Sequence, residues 1–145
     1  MPDDRTGQRT AQTIVLGSTL SGIAEMNQWL DSLSAGLGLS PRLAHDIKLC
    51  LNEAVANILL HGFDGDQDGR LSVTLTVEPT GITALIRDNG PAFNPLDAPD
   101  FVPAEDIASA TIGGLGIKLM RDTSDRMDYR RDGGTNELAL SFGPR

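Results

Sequence analysis

Residues 71–88 have the sequence LSVTLTVEPTGITALIRD, which predicts two strands joined by a tight turn. From Leu71 to Val77, leucine and valine alternate with serine and threonine, the pattern of a strand with one buried face. Pro79-Thr80-Gly81 predicts the turn, and Ile82–Arg87 predicts the returning strand. This part of the chain therefore indicates an antiparallel hairpin with one face turned toward a core.

Two helices are predicted before this hairpin, preceded by a short strand at Thr13–Leu16. Apolar residues follow helical spacing from Ser18 to Leu37. Ser40-Pro41 is a typical cap and first position for a second helix, which we expect to run from Pro41 to His61 and to stop at Gly62. For the first helix, the candidate caps are Ser18 and Ser21, and the candidate stops are Gly36 and Gly38.

The sequence after the hairpin predicts a long polar loop at Asp88–Ala110, then a short helix that begins after Gly113 and runs through Met120 or Arg121. Strands at Arg126–Arg131 and Glu137–Phe142 would form a second hairpin through Asp132-Gly133-Gly134. The predicted fold class is α+β. We expect a two-layer sandwich, with a mixed but mostly antiparallel sheet and helices on one face.

Length and composition bound the class of protein. With 145 residues we expect one domain at residues 13–145, preceded by a flexible N-terminus at residues 1–12. No apolar run is long enough for a membrane span or resembles a secretory signal, so a cytoplasmic protein is expected. A single cysteine, Cys50, excludes an internal disulfide and a multi-cysteine metal site, and we expect it to be a buried structural residue. The net charge of −8 argues against a nucleic-acid-binding surface.

The second predicted helix carries polar residues on a partly apolar side. Ala44, Ile47, Leu51, Ala54, Val55 and Ile58 share the arc that is expected to pack on the sheet. On the other side, Glu53 and Asn57 are four residues apart and lie one above the other. A carboxylate and an amide in such a setting indicate the wall of a pocket. From this helix alone, two ordinary exposed residues remain an open alternative.

Two glycine-containing segments add to this pattern. Asp88-Asn89-Gly90 follows a predicted strand, where an acidic side chain can accept a ligand donor beside close backbone, although a plain turn is also possible. Residues 111–120, TIGGLGIKLM, open a predicted helix with glycines. Such a start exposes N–H groups to phosphate. The segment is neither a Walker A loop nor a dinucleotide-binding fingerprint.

Taken in order, these motifs carry a resemblance. Glu53-xxx-Asn57, Asp88-x-Gly90, Gly114-x-Gly116 and Gly133-Gly134-Thr135 resemble the ATPase superfamily of gyrase, histidine kinases and MutL, which has the Bergerat fold. More closely, DNGPAFNPL, IGGLGIKLM and YRRDGGTNELAL resemble the small anti-sigma-factor serine/threonine kinases, and the similarity runs from Leu16 to Phe142.

The resemblance implies ATP and Mg²⁺ as cofactors and gives each motif a role. Asn57 would be the Mg²⁺ ligand, and Glu53 the general base that activates an attacking hydroxyl. Asp88 would accept a hydrogen bond from the adenine amino group. Further implied nucleotide-binding residues are Gly90 beside the base, Thr135 assisting Asp88, and Gly113, Gly114, Leu115 and Gly116 around the phosphates.

The resemblance also implies partners. The kinase would phosphorylate an anti-anti-sigma protein, sequester a sigma factor and form a homodimer, without contacting nucleic acid or a membrane. A non-catalytic partner-switching module is the alternative, because the presumed ATP lid is acidic at Asp97–Asp106, where a basic residue often meets phosphate. A histidine-kinase ATP-binding domain is disfavoured, because the only histidines, His45 and His61, lie in the predicted catalytic helix.

Overall fold

The computed structural model describes residues 9–59, 69–97 and 114–145, with only the backbone described for Asp97, Gly114 and Leu115. The elements follow the predicted order of strand, two helices, hairpin, helix and hairpin. Their bounds are β1 Thr10–Leu16, α1 Ser21–Leu37, α2 Pro41–Asn57, β2 Leu71–Glu78, β3 Gly81–Asp88, α3 Gly114–Thr123, β4 Arg126–Asp132 and β5 Thr135–Phe142. A short 3₁₀ turn at Pro95–Asp97 lies between β3 and α3.

The five strands form one sheet in the order β1-β2-β3-β5-β4. Every described pairing is antiparallel, so the predicted mostly antiparallel sheet is confirmed. In the second hairpin, Gly133 and Gly134 have φ of 56° and 85°. Positive φ at both central residues is the geometry of the two-residue turns that match strand twist, which explains this pair of glycines.

The core lies between one face of the sheet and the helices, as predicted. Ile47, Leu51, Ala54 and Val55 of the predicted arc are buried there. Cys50 is also buried, which confirms the expectation of a structural cysteine. From the sheet, alternate strand residues point into this core: Leu71, Val73 and Leu75, Ile82, Ala84 and Ile86, and Leu138, Leu140 and Phe142.

Most elements differ from the predicted bounds by one to three residues, and the differences in β1, α1 and α2 have a visible cause. β1 begins at Thr10 instead of Thr13, because Thr10 to Gln12 pair with residues of β2. α1 begins at Ser21 after Leu20, with no side-chain cap; its end agrees with the prediction, because Gly38, one of the two candidate stops, adopts the left-handed conformation with φ of 64°. The regular part of α2 ends at Asn57, and wider turns continue to Leu59. His61 and Gly62 lie outside the described residues.

Polar contacts fix α2 against its neighbours. Ser40 caps its first turn by accepting a hydrogen bond from the backbone N–H of Leu43, as predicted. Asn52 and Asn27 of α1 exchange two amide hydrogen bonds of 2.7 and 3.0 Å. Near the start of α2, Asp46 accepts a hydrogen bond from Arg145 at 2.7 Å. α2 is therefore held from α1 and from the segment after β5.

None of the helices in the described ranges is both long and apolar enough to cross a membrane.

Candidate functional site

The polar side of α2 carries two side chains that have no partner among the described residues. Glu53 and Asn57 are half-buried, one helical turn apart. Within the described part of the chain, neither side chain makes a hydrogen bond or an ion pair. Polar groups withdrawn from water are usually satisfied by the protein. The oxygens of Glu53 and Asn57 are therefore available to a cation, a donor or water.

The first turn of α3 lies directly beside Glu53. A Cβ atom added to Gly116 would stand 2.5 Å from Oε2 of Glu53 and 3.4 Å from its Cδ. Any larger residue at position 116 would therefore displace the carboxylate. The N–H groups of a helix's first turn have no partner inside the helix and carry the positive end of its dipole. The structure thus joins Glu53 to the glycine-rich helix start that was predicted to hold phosphate.

Asp88 lies at the end of β3, with its side chain on the helix-covered face and 7% exposed. Its Oδ1 accepts hydrogen bonds from the backbone N–H of Gly90 at 2.9 Å and from Nδ2 of Asn136 at 3.0 Å. Among the described residues, no donor contacts Oδ2. One carboxylate oxygen is therefore engaged by the protein, while the other is left as an acceptor. Gly90, predicted to give a base room, is buried next to this carboxylate.

Asn136 is a partner of Asp88 that the sequence analysis missed. It is the direct partner of Asp88 across the β3–β5 pairing, and it is 4% exposed. The predicted strand began at Glu137, which left Asn136 in the turn. Extending the alternation of Leu138, Leu140 and Phe142 back by two residues would have placed Asn136 on the buried face.

Thr135 does not reach Asp88 in the structure. It pairs with Asp132 beside the turn and is half-buried. Because successive strand residues point to opposite faces, its side chain lies on the face of the sheet away from Asp88 and Asn136. The position that the resemblance assigned to Thr135 is occupied by Asn136.

The basic residues of α3 are engaged elsewhere. Lys118 forms an ion pair of 2.6 Å with Asp122 on the exposed side of the helix. Arg121 donates hydrogen bonds to the backbone carbonyls of Pro95 and Leu96, which ties α3 to the 3₁₀ turn. Gly113 lies outside the described residues, as do residues 98–106 of the predicted acidic stretch.

Cys50, one turn before Glu53, has no catalytic character. Burial, reinforced by the nearby charge of Asp46, raises the pKa of its thiol to about 12. Because a thiol reacts as the thiolate, Cys50 is an inert core residue at neutral pH.

The described donor set fits a nucleotide bound with a hard cation. Carboxylate and carboxamide oxygens are ligands that Mg²⁺ accepts. The start of α3 offers N–H groups to an anion, and Asp88 offers an acceptor to a base. The two halves of the site are connected because α2, which carries Glu53 and Asn57, packs on β3, which ends at Asp88.

Comparison with known proteins identifies the fold. The family model of the histidine kinase-like ATPase domain matches residues 16–142. The chain belongs to this family. The match covers every strand and helix from the end of β1 to the end of β5, and it confirms the ATPase superfamily predicted from the motifs.

Two named kinases are similar to this histidine kinase-like ATPase domain along most of their length. The serine/threonine-protein kinase BtrW of Bordetella bronchiseptica is 30% identical over 129 residues, which are 89% of this chain and 91% of BtrW. The serine-protein kinase RsbW of Listeria monocytogenes is 26% identical over 117 residues, which are 78% of this chain and 74% of RsbW. The predicted relationship to serine/threonine kinases of this family is thereby confirmed.

A solved structure shares the fold. The crystal structure of the RsbU and RsbW domains of Rv1364c from Mycobacterium tuberculosis superimposes on 93% of this ATPase domain with a TM-score of 0.67 and 16% identity. The chain spans 32% of that longer protein.

Proposed function

We propose that this chain is an ATP-dependent serine/threonine protein kinase that phosphorylates an anti-anti-sigma protein and, as an anti-sigma factor, sequesters a sigma factor. The contact between Glu53 and Gly116 carries the proposal, because it sets a carboxylate that has no partner in the described part of the chain against the glycine-rich helix start. A binding domain without chemistry has no need of a base at that point. The kinase names of BtrW and RsbW support the same activity.

In this mechanism the chain's own residues mainly position the reactants. The N–H groups at the start of α3 hold phosphate oxygens, and the free oxygen of Asp88 accepts a hydrogen bond from the adenine amino group. Glu53 takes the proton from the attacking serine or threonine hydroxyl of the partner. Asn57 would hold Mg²⁺, which neutralises charge on the phosphates when it is bound. Phosphoryl transfer depends largely on such positioning and charge neutralisation.

The partners follow from the same proposal. The phosphoryl acceptor is a protein hydroxyl. The anti-anti-sigma protein must therefore bring its serine or threonine next to Glu53 while the nucleotide is bound. The sigma factor binds the same chain as a second protein partner. We propose a homodimer and a cytoplasmic location, in keeping with the resemblance in the motifs.

Radiolabelled ATP, Mg²⁺ and a cognate anti-anti-sigma protein test the kinase activity. We expect label on the partner with the wild type, no transfer with Glu53→Ala, and unchanged transfer with Glu25→Ala. Glu25 is a matched control because it is a glutamate on the exposed side of α1. If wild type and Glu53→Ala are equally silent while both bind ATP, the chain is not a kinase for that partner.

One observation favours a second candidate, a partner-switching module that binds proteins without transferring phosphate. Lys118 and Arg121, the basic residues of α3, are occupied by Asp122 and by two backbone carbonyls. Pull-down of sigma factor and anti-anti-sigma protein, with and without ATP, would reveal such a module. Accumulation of phosphorylated anti-anti-sigma protein would exclude it.

A further inference from the structure

Asn136 connects the carboxylate of Asp88 to the loop that follows it. Its Nδ2 donates to Oδ1 of Asp88 at 3.0 Å and to the backbone carbonyl of Pro91 at 2.8 Å, with a longer contact of 3.4 Å to the carbonyl of Gly90. A single buried amide thus fixes three groups at the end of β3. A buried polar group with this many partners defines one local arrangement.

Two residues of the edge strand β4 determine which way this amide points. Oδ1 of Asn136 accepts hydrogen bonds from the hydroxyl of Tyr129 at 2.5 Å and from the guanidinium of Arg131 at 3.0 Å. Because a guanidinium can only donate, the oxygen of the amide must face Arg131, where it also accepts from Tyr129, and the nitrogen must face Asp88. Arg131 also donates to the carbonyl of Gly90 at 3.0 Å, so the loop beside the base is held from the same strand.

We infer that Asn136 is a positioning residue that, held by Tyr129 and Arg131, orients Asp88 so that the site selects a purine with an amino group at position 6. The inference rests on the proposed function, in which Asp88 meets the base.

The selectivity follows because the two carboxylate oxygens of Asp88 have different roles. Oδ1 of Asp88 is engaged by Asn136 and Gly90, so Oδ2 is the oxygen that remains for the ligand. An ionised carboxylate only accepts hydrogen bonds. A 6-amino group donates to it, whereas a 6-oxo group would place acceptor against acceptor. Sites built around one fixed polar group reject the mismatched analogue strongly, because the buried group is then left unpaired.

Binding of ATP and of inosine triphosphate, each with Mg²⁺, tests the inference by calorimetry on the full chain. The wild type should prefer ATP. In Asn136→Ala the affinity for ATP should fall roughly tenfold or more, the worth of a hydrogen bond to a charged group, while the affinity for inosine triphosphate changes much less. The preference should therefore collapse. Ser141→Ala, on the opposite face of the same strand, should retain the wild-type ratio.

The ratio of the two affinities distinguishes a positioning role of Asn136 from a purely structural one. A loss of the same factor for both nucleotides, or an unchanged ratio, would overturn the role of Asn136. If the wild type binds no ATP, the proposed function fails along with the inference. If Asn136→Ala does not fold, Tyr129→Phe removes only the hydroxyl that orients the amide. Its ratio should fall in the same direction, and an unchanged ratio would again reject the inference.

Discussion

Glu53 and Asn57 differ from neighbouring polar residues of α2 because neither has a partner within residues 9–59, 69–97 and 114–145. Asp46 is paired with Arg145, Lys48 with Asp31, and Asn52 with Asn27. Each of those pairs fixes the helix to another element. In the part of the chain that the structure describes, the oxygens of Glu53 and Asn57 serve no such purpose, which is the reason for assigning them to a ligand.

Asn57→Ala should abolish Mg²⁺-dependent ATP binding and leave the domain folded. Alanine is at least as good a helix former as asparagine, and no hydrogen bond to a described residue is lost. Calorimetry with ATP and Mg²⁺, alongside a thermal melt, measures both effects. Gln28→Ala, an exposed amide on α1, is the control and should bind normally. Unchanged affinity in Asn57→Ala would contradict the metal-ligand assignment.

Gly116→Ala should lower the phosphoryl-transfer activity without lowering the stability of the protein. The added methyl would stand 2.5 Å from Oε2 of Glu53, so the carboxylate must move and phosphoryl transfer should fall by roughly a factor of ten or more. Replacing a helical glycine with alanine stabilises by up to roughly 1 kcal/mol. The melting temperature should therefore not fall.

Gly36→Ala provides the matched control for that variant. Position 36 is also helical, and an added Cβ there meets nothing within 4 Å. The control should gain a similar amount of stability and keep full transfer activity. Equal activity of the two variants would mean that the position of Glu53 does not limit the reaction.

At the scale of elements, α2 is the part of the fold on which the site depends. It contributes Glu53 and Asn57, touches α3 through Glu53, and packs on β3. Its start is defined by Ser40 and Pro41, where a capping hydroxyl precedes a residue with a preset φ. The local sequence therefore sets where the helix begins and which side faces the sheet.

Ser40→Ala should destabilise the protein by about 1 kcal/mol, because the N–H of Leu43 loses its acceptor. Urea unfolding at neutral pH measures this change. Ser21→Ala at the start of α1 is the comparison, since α1 has no side-chain cap, and its effect should be within about 0.5 kcal/mol of zero. A Ser40→Ala variant as stable as the wild type would show that the cap contributes nothing.

At the scale of the molecule, an ion-pair cluster on the outer face of the sheet joins three strands. Glu137 of β5 is held by Arg87 of β3 at 2.6 Å and by Arg130 of β4. Hydrogen bonds from Arg130 and Arg87 lower the pKa of Glu137 below its ordinary value of 4.5. The stabilisation from this carboxylate is thus present above about pH 4.5 and is lost as the pH falls through the lowered pKa.

Glu137→Gln should therefore destabilise the protein at pH 7, and its difference from the wild type should shrink at acid pH. Chemical denaturation of both proteins at a series of pH values between about pH 3 and pH 7 measures the difference. Glu78→Gln removes an exposed ion pair with Arg9 and should change little at any pH in this range. A constant difference across the range would mean that Glu137 does not titrate abnormally in the folded protein.

Much of the architecture could be predicted, because periodicity is a local property. Alternation at Leu71–Val77 and helical spacing on α1 and α2 identified their elements before any tertiary contact was known. β1 was predicted too short, because Thr10 to Gln12 carry no apolar pattern and are ordered only by pairing with β2.

Spacing within one element was enough to name Glu53 and Asn57 as candidate site residues. The contact between Asp88 and Asn136 was missed, because it depends on the register between strands. Asn136 contacts Asp88, which is 48 positions away in sequence. No local pattern distinguishes Asn136 from its neighbour Thr135 unless the last strand is extended back to the turn. Long-range pairing therefore decided which of two adjacent polar residues faces the carboxylate.

Because Cys50 is buried, its alkylation rate measures how often α2 opens. As the chain's single cysteine, it gives one unambiguous signal on alkylation, and with a pKa of about 12 it reacts slowly unless the helix lifts from the sheet. The alkylation rate thus reports local opening of the segment that carries Glu53 and Asn57. A nucleotide that binds this segment will lower the alkylation rate of Cys50. Its binding can therefore be followed without an introduced label.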